Sequence, residues 1–553
     1  MHENDGNLLY DLLPRSTRHG RKGIYQTERT RKRNILHICK RISRWRDTPR
    51  GNCINRSKLI TLLTMEYDTI IGLEIHVQTK TKSKMFCTCP TGYFQKEPNS
   101  HVCPVCMALP GALPVPNKRA IELCMLMGLA TNCTIANEIF FDRKHYFYPD
   151  LPKGYQISQY KNPICSNGSV ILPNGFEVKI ERIHQEEDVA KSTHHTSTSE
   201  SDYSLIDYNK SGVPLIEIVT KPCIRNAKDA KDFATQIRQI ARYLNISDAD
   251  MEKGQMRCEP NISIQEKGRW EEKDGMILPL GDYKLNPKVE VKNIGSITAV
   301  EKAIEFEVAR LTKDLEEGKP LIQQTRGWNA NKNVTEFQRS KETADDYRYM
   351  PEPDIPVIEV SNEDIERVKS ELVELPHEKI ARYMNDWDIS QYAAEVISAS
   401  RKDASYFENL QKLLSEKLEP KVAAQEAANW LMGTVFALEG DKEIDMNDLS
   451  LLIMKFKEGK ITKGKAEEML KDCISNNKDI SDELDMFEKE SSQNAGNIQD
   501  IVKEVLDNNP KAVTDYKGGK EATMGFLVGQ VMQKTKGASN PNDVKNILIE
   551  LLK

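Results

Sequence analysis

At 553 residues the chain is too long for one core, so its apolar fraction of 39% must be shared among several domains. A net charge of −5 with 29% charged residues describes an ordinary soluble protein. The longest apolar stretch, Leu123 to Ala130, is too short to cross a bilayer and has Glu122 beside it, which excludes a membrane span and a signal-peptide core.

Residues 1–64 carry fifteen Lys/Arg against five Asp/Glu, a balance of +10 that leaves −15 for the rest. The runs Arg29-x-Arg31-Lys32-Arg33 and Arg41-x-x-Arg44-x-Arg46 have little periodic apolar content. They read as an unstructured tail or an upstream mis-start, since Met65 directly precedes the first convincing strand, or else as a nucleic-acid arm or organelle-targeting peptide. Transit peptides avoid acids, and Glu3, Asp5 and Asp11 crowd this end, so the expected location is cytoplasmic, and organellar only if the leader is a transit peptide.

The alternating run Ile70 to Val77 predicts a strand that projects Glu74 and His76 from one face. A carboxylate and an imidazole on a rigid strand are half of a divalent-metal or acid/base site. Twelve cysteines without secretory context point to reduced thiols. Cys87-x-Cys89-x13-Cys103-x-x-Cys106 has the pair-loop-pair spacing of a structural zinc knuckle, whose four thiolates hold the ion at about 2.3 Å and leave no open position. Cys103 and Cys106 alone would also fit a redox pair, and four buried thiols without an ion are the plain alternative.

A helical pattern at 117–131 is followed by Phe141-Asp142-Arg143-Lys144-His145-Tyr146-Phe147-Tyr148-Pro149-Asp150, with Lys153 just behind it. Arg143, Lys144, Tyr146 and Lys153 suit phosphate contact and base or ribose stacking, or a cation-flanked aromatic core strand. Strand-like runs at 169–172 and 178–183 lead into His184-Gln185-Glu186-Glu187-Asp188, where Glu187 is expected to share a side with His184 while Glu186 and Asp188 face away. An acid triplet alone is commonly a solvated surface. Glu217 argues otherwise, because it sits inside the apolar strand Pro214 to Val219, where an unpaired carboxylate is costly to bury. Glu74, His76, Glu187 and Glu217 together would suit Mg²⁺ and the phosphates of a nucleotide. Arg257-Cys258-Glu259-Pro260-Asn261 adds Glu259 and Asn261, two apart at a strand entrance, as further groups to hold substrate or phosphate.

Helical patterns at 226–244 and 298–317 and a strand at 289–292 complete a mixed α+β body, 65–358, closed by the Pro-rich segment 350–356. Segments 361–373, 389–415, 420–439 and 446–458 then read as amphipathic helices of an all-α unit, 359–480. The polar stretch Ser475 to Asn494 predicts a flexible joint, and 481–553 a small helical tail centred on Ala522 to Lys534. Gly459 to Ala466 nearly matches a phosphate-cradling P-loop, but Ala466 replaces the hydroxyl that would hold Mg²⁺ and a helix precedes it, so a helix–helix turn is expected. There is no G-x-S-x-G, no H-E-x-x-H, no Rossmann glycine fingerprint and no Gly/Ser-rich amidase segment.

Five stretches carry a specific likeness: Ile71 to Val77, Phe141 to Asp150, His184 to Asp188, Pro214 to Ile218 and Asp346-Tyr347-Arg348-Tyr349. In this order, with the closing Met524 to Gln530, they resemble the B-subunit family of tRNA-dependent amidotransferases of the GatCAB type, from Met65 to Lys553 nearly end to end. The resemblance implies an α+β cradle domain with a zinc knuckle, an all-α linker domain and a small helical YqeY-like tail that grips tRNA. It implies a carbon–nitrogen ligase with glutamine as amido donor, in a heterotrimer with A (glutaminase) and C subunits. Family members use ATP and Mg²⁺ to phosphorylate the side-chain carboxylate of Glu-tRNA(Gln) or Asp-tRNA(Asn), and ammonia from the A subunit then displaces phosphate. Carried over, Glu74, His76, Glu187 and Glu217 would be the catalytic and Mg²⁺-binding residues, and Glu259 stands where relatives often have Asp. The four cysteines match the zinc-bearing version of the family, and the lack of a large insertion after the cradle favours the B type over the archaeal E type. A tRNA-binding scaffold with its chemistry in a partner is the rival reading; the joint presence of Glu74, His76, Glu187 and Glu217 favours the enzyme.

Overall fold

A computed structural model describes residues 66–195, 203–340, 347–438, 444–476, 478–495, 498–535 and 541–552. The basic stretch 1–64 and Asp346 lie outside these described residues. Period-two alternation in the N-terminal body produces β1 (Tyr67–Gln78), β2 (Thr134–Ile135), β3 (Asp142–His145), β4 (Tyr155–Ser158), β5 (Cys165–Ile171) and β6 (Glu177–Glu187). Further along come β7 (Pro214–Thr220), β8 (Met256–Glu266), β9 (Val289–Lys292), β10 (Gln324–Asn329), β11 (Val334–Ser340) and β12 (Met350–Pro351).

Nine of these form one sheet in the order β11-β10-β9-β8-β1-β7-β6-β5-β2, antiparallel except for the parallel pair β9/β10. β1 lies between β7 and β8, so its two faces decide what the whole sheet presents. Ile71, Leu73, Ile75 and Val77 point into the core, each nearly or fully buried, where one such side chain stabilises by about 1.5–3 kcal/mol. The alternate residues Gly72, Glu74, His76 and Gln78 face the other way.

Three helices share that core. They are α1 (Lys118–Ala130), α2 (Ala227–Tyr243) and α3 (Ile297–Glu316), started by Asn117, Asn226 and Ser296, whose side chains accept first-turn amide protons. A short ladder, β12-β3-β4, carries the aromatic and cationic run of 141–150 alongside.

Beyond Val360 the described elements are helical: α4 (Asn362–Lys369), α5 (Pro376–Trp387), α6 (Gln391–Ile397), α7 (Arg401–Leu414), α8 (Pro420–Trp430), α9 (Met446–Lys457), α10 (Lys463–Asn476) and α11 (Ile480–Ala495). A second core gathers residues from Tyr383 to Phe487. A third joins Val502, Val505, Leu527, Val531, Val544 and Leu548 of α12 (Ile498–Asn508), α14 (Ala522–Lys534) and α15 (Pro541–Leu552), with α13 (Pro510–Lys517) packed beside them. Two expectations need correction. The helix expected at 389–415 is two, because Ser400 caps α7 by accepting the Asp403 amide and breaks the run at Ser398-Ala399-Ser400. The joint expected at 475–494 is mostly the helix α11, whose Ile480, Leu484 and Phe487 bury an apolar stripe in the second core. The P-loop look-alike is a turn between α9 and α10, with Gly459 at φ 72°. No helix among the described residues is long and apolar enough to cross a membrane.

Candidate functional site

The polar face of the sheet is built by register. His76 of β1 lies opposite Glu217 of β7, and Glu217 opposite His184 of β6. One step along, Glu74 faces Glu259 of β8. Side chains opposed on antiparallel strands share a face, so these residues are placed together by backbone pairing alone. His76 Nε2 lies 3.6 Å from Glu74 Oε1, 3.6 Å from Glu186 Oε1 and 3.5 Å from Glu217 Oε2. His184 Nε2 is 3.3 Å from Glu217 Oε2, and Lys292 Nζ of β9 is 2.5 Å from Glu259 Oε2. Two overlapping sets, His76/Glu186/Glu217 and Glu74/His76/Glu259, each bring three possible metal-ligand atoms within 4.8 Å of one another.

Burial and crowding set the charges. Burial, then the neighbouring Glu217 charge, raises the carboxyls of Glu74 and Glu186 above the ordinary range. Burial would raise Glu217 too, but His184 and His76 hold it well below that range. For His76, burial alone would lower the imidazole; the hydrogen bond and charge of Glu217, with Glu186 and Glu74, raise it to about 9. A cluster with more carboxylates than cations, partly out of water, is stabilised by a divalent ion.

The ladder beside the sheet supplies one cation. Burial would lower Lys144, yet Tyr349, Glu186 and Glu217 keep its pKa well above the usual lysine value. Its Nζ is 5.0 Å from the Tyr347 ring centre, and Tyr146 and Tyr349 surround Tyr347 edge to face. Tyr349 stacks on Tyr160 at 4.4 Å. Between them Arg348 adopts φ 43°, uncommon for a residue with a Cβ, and its carbonyl accepts from His145 Nδ1 at 2.9 Å.

Other expected residues lie elsewhere. Glu187 does not share a side with His184. β6 continues through it, and strand alternation puts Glu186 with His184 and sends Glu187 to the opposite side. There Glu187 Oε1 meets Lys153 Nζ at 2.7 Å and accepts the Ile157 amide at 3.0 Å. That pair and Cys87 and Cys106 line a separate cavity of about 150 Å³. Arg143 is committed to structure: its Nε and Nη2 donate to the two oxygens of Glu352 at 2.7 and 2.8 Å, and it lies over the Tyr155 ring. Tyr146 donates to Gln156 at 3.4 Å, and Asn261, on the polar face across from Gly72, keeps its buried Oδ1 without a partner among the described residues.

Cys87, Cys89, Cys103 and Cys106 converge, with all four sulfurs within 4.8 Å of one another. Cys103 and Cys106 Sγ are 3.8 Å apart, close to the edge of a tetrahedron whose centre is about 2.3 Å from each sulfur. The Cys103 amide donates to Cys106 Sγ at 3.2 Å, and the fully buried Lys84 reaches the same sulfur at 3.7 Å. These contacts favour a thiolate: the Cys106 pKa falls to about 4, first through its hydrogen bond with Cys87.

The family model of the GatB/GatE catalytic domain matches residues 69–366, more than half of the chain, and that of the GatB domain matches residues 405–552. This chain belongs to the GatB/GatE family. The B subunit of the aspartyl/glutamyl-tRNA(Asn/Gln) amidotransferase from Thermoanaerobacter pseudethanolicus is 43% identical over 500 residues, covering 88% of this chain and 100% of that protein. The proteins of the same name from Dehalococcoides mccartyi and Thermotoga petrophila are each 42% identical, over 88% of this chain and 98% and 99% of their own lengths. In this GatB/GatE protein the acid cluster, Lys144 and the four cysteines all fall inside the stretch matched to the catalytic domain. Glu186, His184 and Lys292 were missed as candidates. The first two were signalled by their even spacing on β6, whereas Lys292 enters only through the β8/β9 pairing.

Proposed function

We propose that this chain is the B subunit of an aspartyl/glutamyl-tRNA(Asn/Gln) amidotransferase, a carbon–nitrogen ligase acting with a glutaminase A subunit and a C subunit on misacylated tRNA. The observation that carries this reading is the cluster of Glu74, Glu186, Glu217 and Glu259 around His76 on one face of the sheet, with Lys144 beside it. Transfer of a phosphoryl group needs positioning and charge neutralisation more than a nucleophilic side chain. The donor set fits Mg²⁺: carboxylates and one imidazole, with Glu74 and Glu186 raised by burial and by the Glu217 charge. Bound there, Mg²⁺ supplies neutralisation of the ATP phosphates.

The residues then divide the work. His76 with Glu186 and Glu217, or with Glu74 and Glu259, would hold the ion, and His184 keeps Glu217 ionised. Lys144, confined by its tyrosines, presents a fixed positive charge to the incoming anionic groups. A side-chain carboxylate oxygen of the aminoacyl-tRNA bonds to the γ-phosphorus of ATP, and ADP leaves with the electron pair of the broken P–O bond. Ammonia adds to the activated carbonyl carbon, gives up a proton, and phosphate departs with the C–O pair, leaving the amide. Cys87, Cys89, Cys103 and Cys106 would hold a structural Zn²⁺ that closes the 87–106 loop on itself. The three cores support a division into a catalytic cradle, a helical linker and a tail that grips tRNA.

The test is single-turnover formation of phosphorylated aminoacyl-tRNA and of amidated product by the chain co-purified with A and C subunits. ATP-dependent formation of both is expected, with loss of at least about 10²-fold in His76→Ala, the scale of removing a transition-state charge stabiliser. Wild-type rates in His76→Ala would place the active centre elsewhere and favour the scaffold.

A further inference from the structure

Arg257 stands directly across from His76 on β8, in the row that continues through Glu217 to His184. Opposed residues on antiparallel strands have Cβ atoms about 4.5–5.5 Å apart, so a side chain as long as arginine overhangs the acid cluster. Its guanidinium is anchored by Asp188, the residue that follows β6. Asp188 is almost wholly buried and accepts from Lys210 Nζ at 2.6 Å, Gln78 Nε2 at 2.6 Å, the Val189 amide at 2.9 Å and Arg257 Nη2 at 3.1 Å. Two cations on one carboxylate leave a net positive charge at this end of the face. Lys210 is 15% exposed and Arg257 37%, so Arg257 is the one that meets solvent.

Several other arginines of the chain are held by more bonds. Arg119, Arg143 and Arg382 each spend two donor nitrogens on one carboxylate, with Glu371, Glu352 and Glu374. Such a bidentate fork is the geometry of a structural pair. Arg257 gives Asp188 a single nitrogen, and among the described residues its Nε and Nη1 have no acceptor. An oriented guanidinium with free donors on the lip of a carboxylate cluster is suited to a tetrahedral oxyanion.

We propose that Arg257 binds the phosphoryl group in transit from the nucleoside triphosphate to the aminoacyl carboxylate, and that Asp188 is its positioning residue. This rests on the function proposed above and names a further substrate-binding residue for it. As the new P–O bond forms and the bond to the departing ADP breaks, negative charge spreads over the three equatorial oxygens, and the free Arg257 donors meet it there.

The test uses the chain in its complex with A and C subunits and the variants Arg257→Gln, Arg257→Lys and Asp188→Asn. One readout is the single-turnover phosphorylation rate; the other is calorimetric affinity for ADP with Mg²⁺, alone and with aluminium fluoride, which mimics the phosphoryl group in flight. Arg257→Gln should lower the rate about 10²–10³-fold with the KM for ATP nearly unchanged, and should abolish the tightening of ADP by aluminium fluoride. Arg257→Lys and Asp188→Asn should fall between it and the wild type. A wild-type rate and wild-type tightening in Arg257→Gln overturns the inference and leaves the proposed function intact. If Arg257→Gln does not assemble, Arg257→Lys decides, since it keeps the Asp188 pair and loses the fork; wild-type behaviour in both readouts then overturns the inference. A wild-type complex that forms no phosphorylated aminoacyl-tRNA from ATP sinks the proposed function, and this inference with it.

Discussion

Two adjacent carboxylates at the end of β6 point to opposite sides because a strand alternates. Glu186 faces His76 at 3.6 Å, whereas Glu187 is closed against Lys153 at 2.7 Å with the Ile157 amide also donating to it. Glu186→Gln should weaken Mn²⁺ or Mg²⁺ binding at least about tenfold and reduce amidation about 10²-fold. Glu187→Gln should leave divalent affinity close to wild type but destabilise the protein, since it strands the mostly buried Lys153 charge, a change that costs about 3–5 kcal/mol. Metal titration beside thermal melting separates the two, and the reverse pattern would put Glu187 at the metal. Cys106→Ser should lower zinc content below one ion per chain and lower the melting temperature, because a structural ion contributes directly to folding; full zinc with unchanged melting defeats the knuckle. Much of this site was legible in the sequence. Glu74 and His76 are two apart on an alternating strand, and Glu217 is a carboxylate inside an apolar one. The same period of two, applied from His184, picks out Glu186 and Asp188 and places Glu187 on the other side of the strand. The Lys153–Glu187 pair spans 34 residues, and only the folded chain reveals it.

At the scale of elements, cross-strand register assembles the site and capping fixes the helices. Helix positions follow from apolar periodicity: the pattern at 226–244 became α2 at Ala227–Tyr243, and that at 298–317 became α3 at Ile297–Glu316. Sheet order was not legible, because β1 pairs with β7 and β8, more than 130 residues away, and nothing local encodes that choice. The helical unit has its own electrostatic knot. Glu408 of α7 accepts from Lys379 at 2.5 Å, Arg382 at 2.5 Å and Tyr383 at 2.8 Å, all on α5. Burial alone would raise the Glu408 carboxyl, but these three donors hold it below its ordinary value. A carboxyl depressed in the folded state stabilises at pH above its unfolded pKa and loses that contribution as pH falls through the folded value. Glu408→Gln should therefore cost about 1–3 kcal/mol at neutral pH, and its gap from the wild type should close as the acid range is entered. Denaturant melts of the two proteins across that range measure it; a gap independent of pH would mean that the carboxylate charge contributes nothing.

Over the whole molecule, the third core makes the C-terminal helices a unit with apolar contacts of their own. Val502, Val505, Leu527, Val531, Val544 and Leu548 pack on one another and belong to neither of the other cores. The outer side of α14 exposes Gly525, Phe526 and Gly529, with Phe526 half-exposed and the exposed Lys517 and Lys520 just before the helix. Glycines let a backbone come close, a phenyl ring offers a stacking face for a base, and lysines meet phosphate, so this side is suited to an RNA strand. Removing residues 496–553 should thus raise the KM for aminoacyl-tRNA much more than that for ATP, and leave glutamine hydrolysis by the complex unchanged. Phe526→Ala should reproduce part of the effect, about 1–3 kcal/mol if one base stacks there, without altering melting, because the ring lies outside the core. Rates measured at saturating tRNA decide between a grip and a part of the catalytic apparatus. Full phosphorylation by the truncated protein at saturation is the expected result, since Glu74, His76, Glu186, Glu217 and Lys144 all lie in the first unit; its disappearance would show that the tail also completes the active centre.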